Sequence, residues 1–441
     1  MADRGKHMKA IIHVNLYDFH TYRPDSYILF DKTILRTGPM EEYREEEGWE
    51  VVDARGAFLL PGLIIGHAHL YGAFMRGIPL PPLTSTSFRE QLEQLYWRVD
   101  GALDGESSYQ SARALAMDHI RCGVTTIFDH HASGTRIRGT LNALKRGWVD
   151  ETGLRGVFCF ETSDRFNVEE CIRENVEFAQ SVHGDMCQAM FGMHASLSLS
   201  ERTLSQAAEA IGRIPLHVHV GESLEDEEEC VARYGKRIVE RFAGHGLITP
   251  DSIFAHCVNI DDREAALMAE YGCTAAINVT SNLNTGNGIP DYRLFKRYGI
   301  PVIIGNDSLG TNIASDIRNT MFGIHLRTKN PWWFGYSSLL DCVRNSYDMA
   351  SKLLGVRLGR LDEGYEADFA LVEYIPPVPL DEGNVWGHVV DGIFNNYHPR
   401  DLWCAGLAKM RDYRVTFDES AILGETRISA EHAWKRMGLL N

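Results

Sequence analysis

Eight short, near-continuously apolar runs recur through the middle of this chain, separated by stretches with helical spacing. They are LIIGHAH (63–69), VTTIFDHH (124–131), RGVFCFETS (155–163), CQAMFGMHA (187–195), IPLHVHVGE (214–222), SIFAHCV (252–258), CTAAINVT (273–280) and PVIIGND (301–307). Strands that alternate with helices pair in parallel, and eight such units are enough to close a barrel. Apolar residues at nearly every position suit strands covered on both faces. The expected fold class is therefore α/β, with a (β/α)8 TIM barrel over residues 61–355. The two ends differ: SYILF, ADFALVEY and YRVTF alternate in character and are broken by Gly, Pro and Asp. Residues 1–60 and 356–441 are expected to supply the antiparallel strands of one small β-sandwich domain.

Charge narrows the partners. Sixty acidic against 44 basic residues give a net charge of -16, which repels phosphate backbones and anionic membranes. Neither a nucleic acid nor a membrane is an expected partner. No run of 18 apolar residues occurs, and MADRGKHMKAIIHV lacks the apolar stretch of a signal peptide. Its first seven residues are compatible with a cloning remnant ahead of Met8. The nine cysteines are an odd number with no CxxC spacing, which favours a reducing cytoplasm over a disulfide frame or a thiolate metal site. The same absence excludes a cytidine-deaminase type of zinc site, which needs P-C-x-x-C.

In a parallel barrel the chemistry lies at the carboxyl ends of the strands. Here those ends carry His67 and His69, then Asp129, His130 and His131, then His194, His219 with Glu222, His256, and Asp307. His67 and His69 are two apart, so they share a face and can grip one ion. A lone histidine at a strand end is commonly a hydrogen-bonded core residue. His-x-His together with His219 and Asp307 on one rim points instead to a metal, with imidazole suiting zinc or iron.

The motifs GHAH, HVHVGE, FAHC and GND resemble the amidohydrolase superfamily, in particular its branch of guanine and adenosine-type deaminases and triazine chlorohydrolases. The resemblance spans nearly the whole chain, and LEQLYWRVDGAL with GVTTIFDHHAS is most similar to SsnA-type aminohydrolases. It implies that His67, His69, His219 and Asp307 hold one divalent metal, zinc or alternatively iron, with water or hydroxide as a further ligand. It also implies self-association as a dimer or larger. The fourth strand has no lysine to bridge two ions, so one ion is expected.

Hydroxide attack on a ring carbon bearing an amino group also needs an acid for the ring nitrogen and the leaving ammonia. Glu222 is the expected proton shuttle, and His256 the group that polarises the substrate. Asp307 is expected both to ligate the metal and to take the proton of the attacking water. His194, Arg165, Trp97 and one of the pair His130–His131, taken as His131, are expected substrate contacts. Arginine suits a carboxylate or carbonyl edge, and Trp97 lies in a long first loop able to form a lid or aromatic wall. His217 should lie deeper, as a core hydrogen-bonding group. INVTSN replaces the HNPxSN common in relatives, keeping Asn278, Ser281 and Asn282; this change is expected to touch specificity more than chemistry.

The resulting expectation is a metal-dependent aminohydrolase acting on a small heterocycle such as a purine or pterin. Alternatives are hydrolysis of a cyclic amide or of a chloro- or alkylamino-substituted ring, and a non-catalytic ligand-binding barrel.

Overall fold

The structure, a computed structural model, describes residues 8–440; the seven residues before Met8 lie outside the described residues. All eight apolar runs form strands: Leu63–Ala68, Val124–His131, Arg155–Phe160, the split pair Cys187–Ala189 and Phe191–Ala195, Leu216–Val220, Ile253–His256, Thr274–Ile277 and Val302–Ile304. Every strand is buried along its length apart from the short Cys187–Ala189 piece. This is what apolar residues on both faces require.

Neighbouring strands pair in parallel around the ring. Two seams close it. At the fourth strand, Thr162 bridges Met193, and His194 N donates to Thr162 O at 3.0 Å. Between first and eighth, Ala68 bridges Asp307, and both Asn306 N and Asp307 N donate to His67 O at 3.0 and 3.1 Å. The second seam therefore sets two rim side chains, His67 and Asp307, side by side. Gly305 makes it possible: a Cβ there would lie 2.2 Å from Asn278 Oδ1 and 2.6 Å from His67 O.

Helices between the strands start on side-chain caps. Ser223 accepts from Asp226 N to begin Leu224–Tyr234, which ends at Gly235 with φ 66°. That cap fixes the backbone directly after Glu222.

The two chain ends build one nine-stranded sheet in which Phe58–Pro61 pairs with Lys9–Tyr17 on one side and Phe369–Val372 on the other. The sheet is not wholly antiparallel as expected: Lys9–Tyr17 runs parallel to both Glu50–Asp53 and Phe58–Pro61. Strand spacing of about 4.8 Å would put the Phe30 and Trp403 strands, four steps apart, about 19 Å from each other in a flat sheet. Their rings are 6.0 Å apart, so the sheet curls over its own core of Val14, Phe30, Phe369 and Trp403. The C-terminal region adds a helix, Glu419–Arg436, which was not among the expected strands. It docks on the barrel, where Trp434 Nε1 donates to Phe74 O at 2.9 Å.

Arg155, at the amino end of the third strand, ties barrel to sheet. It donates to Asp368 Oδ2 at 2.8 Å, Glu366 Oε2 at 2.6 Å and Asp185 O at 2.7 Å, with no exposure of its own.

Candidate metal centre and active site

Each imidazole of the expected ligand set has one ring nitrogen anchored. His67 Nδ1 meets His217 Nε2 at 2.9 Å, His69 Nδ1 donates to His130 O, and His219 Nδ1 donates to His194 O at 2.8 Å. Anchoring one nitrogen leaves the other to ligate. His69 Nε2 lies 3.0 Å from Asp307 Oδ1. Ligand atoms of His67, His69 and Asp307 fall within 4.8 Å of one another, as do those of His67, His219 and His256.

The decisive atom is His67 Nε2, buried and without a hydrogen-bond partner. A buried imidazole nitrogen of this kind costs free energy unless something occupies it. A borderline divalent ion fits: the donors are imidazole and carboxylate, the set that suits zinc or iron.

The charges agree. Burial alone would raise Asp307, but the hydrogen bond and charge of His69, with His256 and Ser281, hold it well below the usual carboxylate range. Burial pushes His67 and His219 well below their ordinary value, so both are neutral, as metal binding requires, whereas against burial the hydrogen bond and charge of Asp307 raise His69 to about 10, so a bound ion would displace a proton there. Asp307 and His256 also sit in the left-handed region, at φ 58° and 72°, an uncommon backbone for non-glycine residues that Asp and His adopt more readily than most.

Glu222 and His256 line the same cleft of about 580 Å³ as His69, His219 and Asp307, and ligand atoms of Glu222, His256 and Asp307 lie within 4.8 Å of one another. Glu222 Oε2 is 3.6 Å from His256 Nε2, which is 4.0 Å from Asp307 Oδ2. Burial and the charge of Asp307 raise Glu222 well above the ordinary carboxylate value, which favours its acid form. Burial lowers His256 to about 4. Asn282 Nδ2 donates to His256 Nδ1 at 3.0 Å, leaving the proton on Nε2, toward Glu222 and Asp307.

The loop after the seventh strand does more than expected. Ser281 Oγ donates to Asp307 Oδ2 at 2.6 Å, and Asn287 Nδ2 donates to Glu222 Oε1 at 3.3 Å. With Asn282 on His256, this loop holds three of the acid–base candidates and so serves chemistry more directly than specificity. Asp307 does not cap a helix; the following helix starts at Asn312.

The substrate-contact expectations divide. His194 lines the cleft, with Nδ1 on Ser198 Oγ at 2.6 Å. His131 does not line it: its Nε2 bonds Ser108 Oγ at 2.9 Å. Adjacent strand residues face opposite ways, and His130 takes the inner face, 3.1 Å from Glu161 Oε1. Trp97 stands behind the wall, stacked 5.0 Å from the Arg165 guanidinium, while its neighbour Tyr96 lines the cleft with Tyr71, Phe88 and Leu92. Arg165 is not free to read a substrate carboxylate, because Asp100 and Glu161 hold it at 2.6 and 3.0 Å. His217 is buried as expected.

Sequence reasoning missed Glu161 and Asp100. Glu161 lies at the end of the third strand, the position that singled out Asp129 on the second, so the same signal was available for it.

Fold and donor set together define a (β/α)8 barrel with a histidine–carboxylate centre able to hold a divalent metal. The chain belongs to the amidohydrolase family, whose sequence pattern matches residues 58–407. It is 28% identical over 410 residues to a 5'-deoxyadenosine deaminase of Methanosarcina mazei, covering 89% of this chain and 90% of that protein. It is also 28% identical over 340 residues to 5-methylthioadenosine/S-adenosylhomocysteine deaminase 2 of Archaeoglobus fulgidus, covering 74% and 77%. Among solved structures, an adenosine deaminase of Xanthomonas campestris with bound zinc aligns at TM-score 0.80 and 19% identity, covering 96% of this chain and 98% of that one. Atrazine chlorohydrolase of Arthrobacter aurescens complexed with zinc aligns at TM-score 0.80 and 21% identity, covering 96% and 100%.

Proposed function

We propose that this chain is a zinc-dependent aminohydrolase that releases ammonia from an amino-substituted purine or a similar heterocycle. The observation that carries the reading is geometric: Glu222, His256 and Asp307 bring ligand atoms within 4.8 Å of one another in the cleft, beside a histidine set with an unpartnered buried nitrogen. The deaminase names of its curated relatives support the same class.

His67, His69, His219 and Asp307 would hold the ion. When bound, a divalent cation lowers the pKa of water from 15.7 toward about 7 and so supplies hydroxide at neutral pH. Asp307, ionised and oriented by Ser281, accepts the proton of the attacking water at Oδ2. Glu222 delivers its proton to the ring nitrogen, takes one up from Asp307, and passes it to the departing amino group; the hydroxyl proton released as the new C=O forms returns through Asp307 to Glu222 and restores the acid. His256 donates from Nε2 to the atom on which negative charge develops. Phe88, Leu92 and Tyr96 give a flat ring an apolar surface that excludes water.

The same reading makes residues 61–355 the catalytic barrel and 1–60 with 356–441 its accessory domain. It also places the enzyme in the cytoplasm as a homo-oligomer. Nine free cysteines, eight of them buried, support a reducing compartment. The exposed side chains of Phe322, Leu326, Trp332 and Trp333 support self-association. No helix among the described residues is long and apolar enough to cross a membrane.

The test is an ammonia-release screen of purines, purine nucleosides, pterins and triazines on protein of known zinc content. Zinc-dependent ammonia release is the expected result. Release of chloride or alkylamine instead, or no zinc bound by the wild type, overturns the reading.

A further inference from the structure

Resting on the aminohydrolase reading of this cleft, we infer that its far wall selects a heterocycle whose substituent donates hydrogen bonds and carries no negative charge, with a cationic amine favoured most. The arginine behind this wall is Arg165, and all three of its nitrogens are engaged. Nη1 donates to Asp100 Oδ2 at 2.6 Å, Nη2 to Glu161 Oε2 at 3.0 Å and Nε to Ser163 Oγ at 3.0 Å. Two carboxylates share one guanidinium, and Glu161 also lies 3.6 Å from His69 Nδ1 and 3.1 Å from His130 Nδ1, so the charge left least compensated is that of Asp100.

Asp100 shows what it lacks. Its side chain lines the cleft at 2% exposure, and Oδ1 is buried with no partner. A carboxylate oxygen is an acceptor only, so the group that satisfies it must be a donor. No lysine or arginine is among the residues lining the cleft, whereas Asp226 is. The acidic run beyond it, Glu227, Glu228 and Glu229, adds little charge to the wall, because burial raises Asp226 to about 7 and Glu227 to about 9. Arg89, beside that run, is already bonded to Glu229 and by its backbone N–H to Glu225. A phosphate or carboxylate arriving on the substituent would meet like charge on this wall with no free cation to answer it, an arrangement that rejects ligands strongly.

Three adenine compounds differing only at the 5'-position test this on the zinc-loaded enzyme: 5'-amino-5'-deoxyadenosine, adenosine and adenosine 5'-monophosphate. The expected order of kcat/KM is amino, then hydroxyl, then phosphate, with the phosphate at least ~100-fold below adenosine. Calorimetric titration of zinc-loaded Glu222→Gln should give the same order in Kd. Asp100→Asn should narrow the phosphate penalty at least ~10-fold, and higher salt should narrow it in the wild type, which serves if that variant fails to fold. Equal use or binding of the phosphate overturns the inference and leaves the deaminase reading standing. Intact binding order with no ammonia from any of the three overturns the deaminase reading and supports the charge selection.

Discussion

The two ends of the barrel bury charge in opposite ways. At the amino end, Arg155 gives its donors to Asp368, Glu366 and the Asp185 carbonyl, and no side-chain atom of the three charged groups is both buried and unpartnered. At the carboxyl end, His67 Nε2 and Asp100 Oδ1 are just as buried and have no partner. A closed network of buried polar groups fixes geometry and asks for nothing further. An open one calls for an explanation, and a ligand is one of those available. Burial and charge alone therefore do not mark function, and neither does one unpartnered atom, since Trp403 Nε1 in the terminal sheet has none either; His67 Nε2 marks a site because it stands among other metal donors.

That contrast breaks most sharply at Asp307. Asp307→Ala removes a ligand and the water's proton acceptor together, so kcat/KM should fall by more than ~10⁴-fold, beyond what one acid–base group supplies. Zinc content, read by elemental analysis, should fall with it. Chelation of the wild type should do the same and be reversed by zinc. An active Asp307→Ala protein would remove the mouth from consideration as a metal site.

Glu222→Gln separates proton delivery from metal binding. We expect kcat to drop ~10²–10⁴-fold with zinc content unchanged. Glu222 has its pKa raised by burial and by the charge of Asp307, so its acid form extends to higher pH than an ordinary carboxyl's and is lost as pH rises through that raised value. The wild-type rate should accordingly fall on the alkaline side, and the residual rate of the variant should lack that limb. Zinc loss in Glu222→Gln would mean that the carboxyl is structural.

The closed end should answer in stability instead. Arg155→Leu leaves Glu366 and Asp368 buried without their cation and should cost about 3–5 kcal/mol, read in a denaturant titration. The folded fraction should keep its zinc and its kcat. A loss of zinc with little loss of stability would invert the comparison.

This division also explains what the sequence disclosed. The eight strands were legible because each buries both faces, and His67 and His69 because two residues of one strand face the same way. Glu222 was legible because it follows His219 within one turn of chain. Asp100 was not: its meaning comes from Arg165, 65 positions later, and no local spacing announces that encounter. The choice between His130 and His131 was equally hidden, since parity says that one faces inward but not which. The parallel course of Lys9–Tyr17 depends on a crossover to Glu50–Asp53 that an alternating pattern does not specify.

The smallest expected effect lies at His217, which belongs to neither end fully. It is buried like Arg155, yet its one task visible here is to meet His67 Nδ1 at 2.9 Å. His69 and His219 have the corresponding nitrogen on backbone carbonyls, which no side-chain substitution removes. His67 alone relies on a replaceable group to keep its proton on Nδ1 and its lone pair on Nε2. His217→Leu should therefore weaken zinc affinity ~10–100-fold, the usual size of an outer partner's contribution. His217→Gln, whose amide oxygen can accept from Nδ1, should recover part of that. Affinity measured by competition with a chelator checks both, independently of turnover. Equal affinity in the leucine and glutamine variants would show that His217 merely fills space, and that the open end of the barrel holds His67 by packing alone.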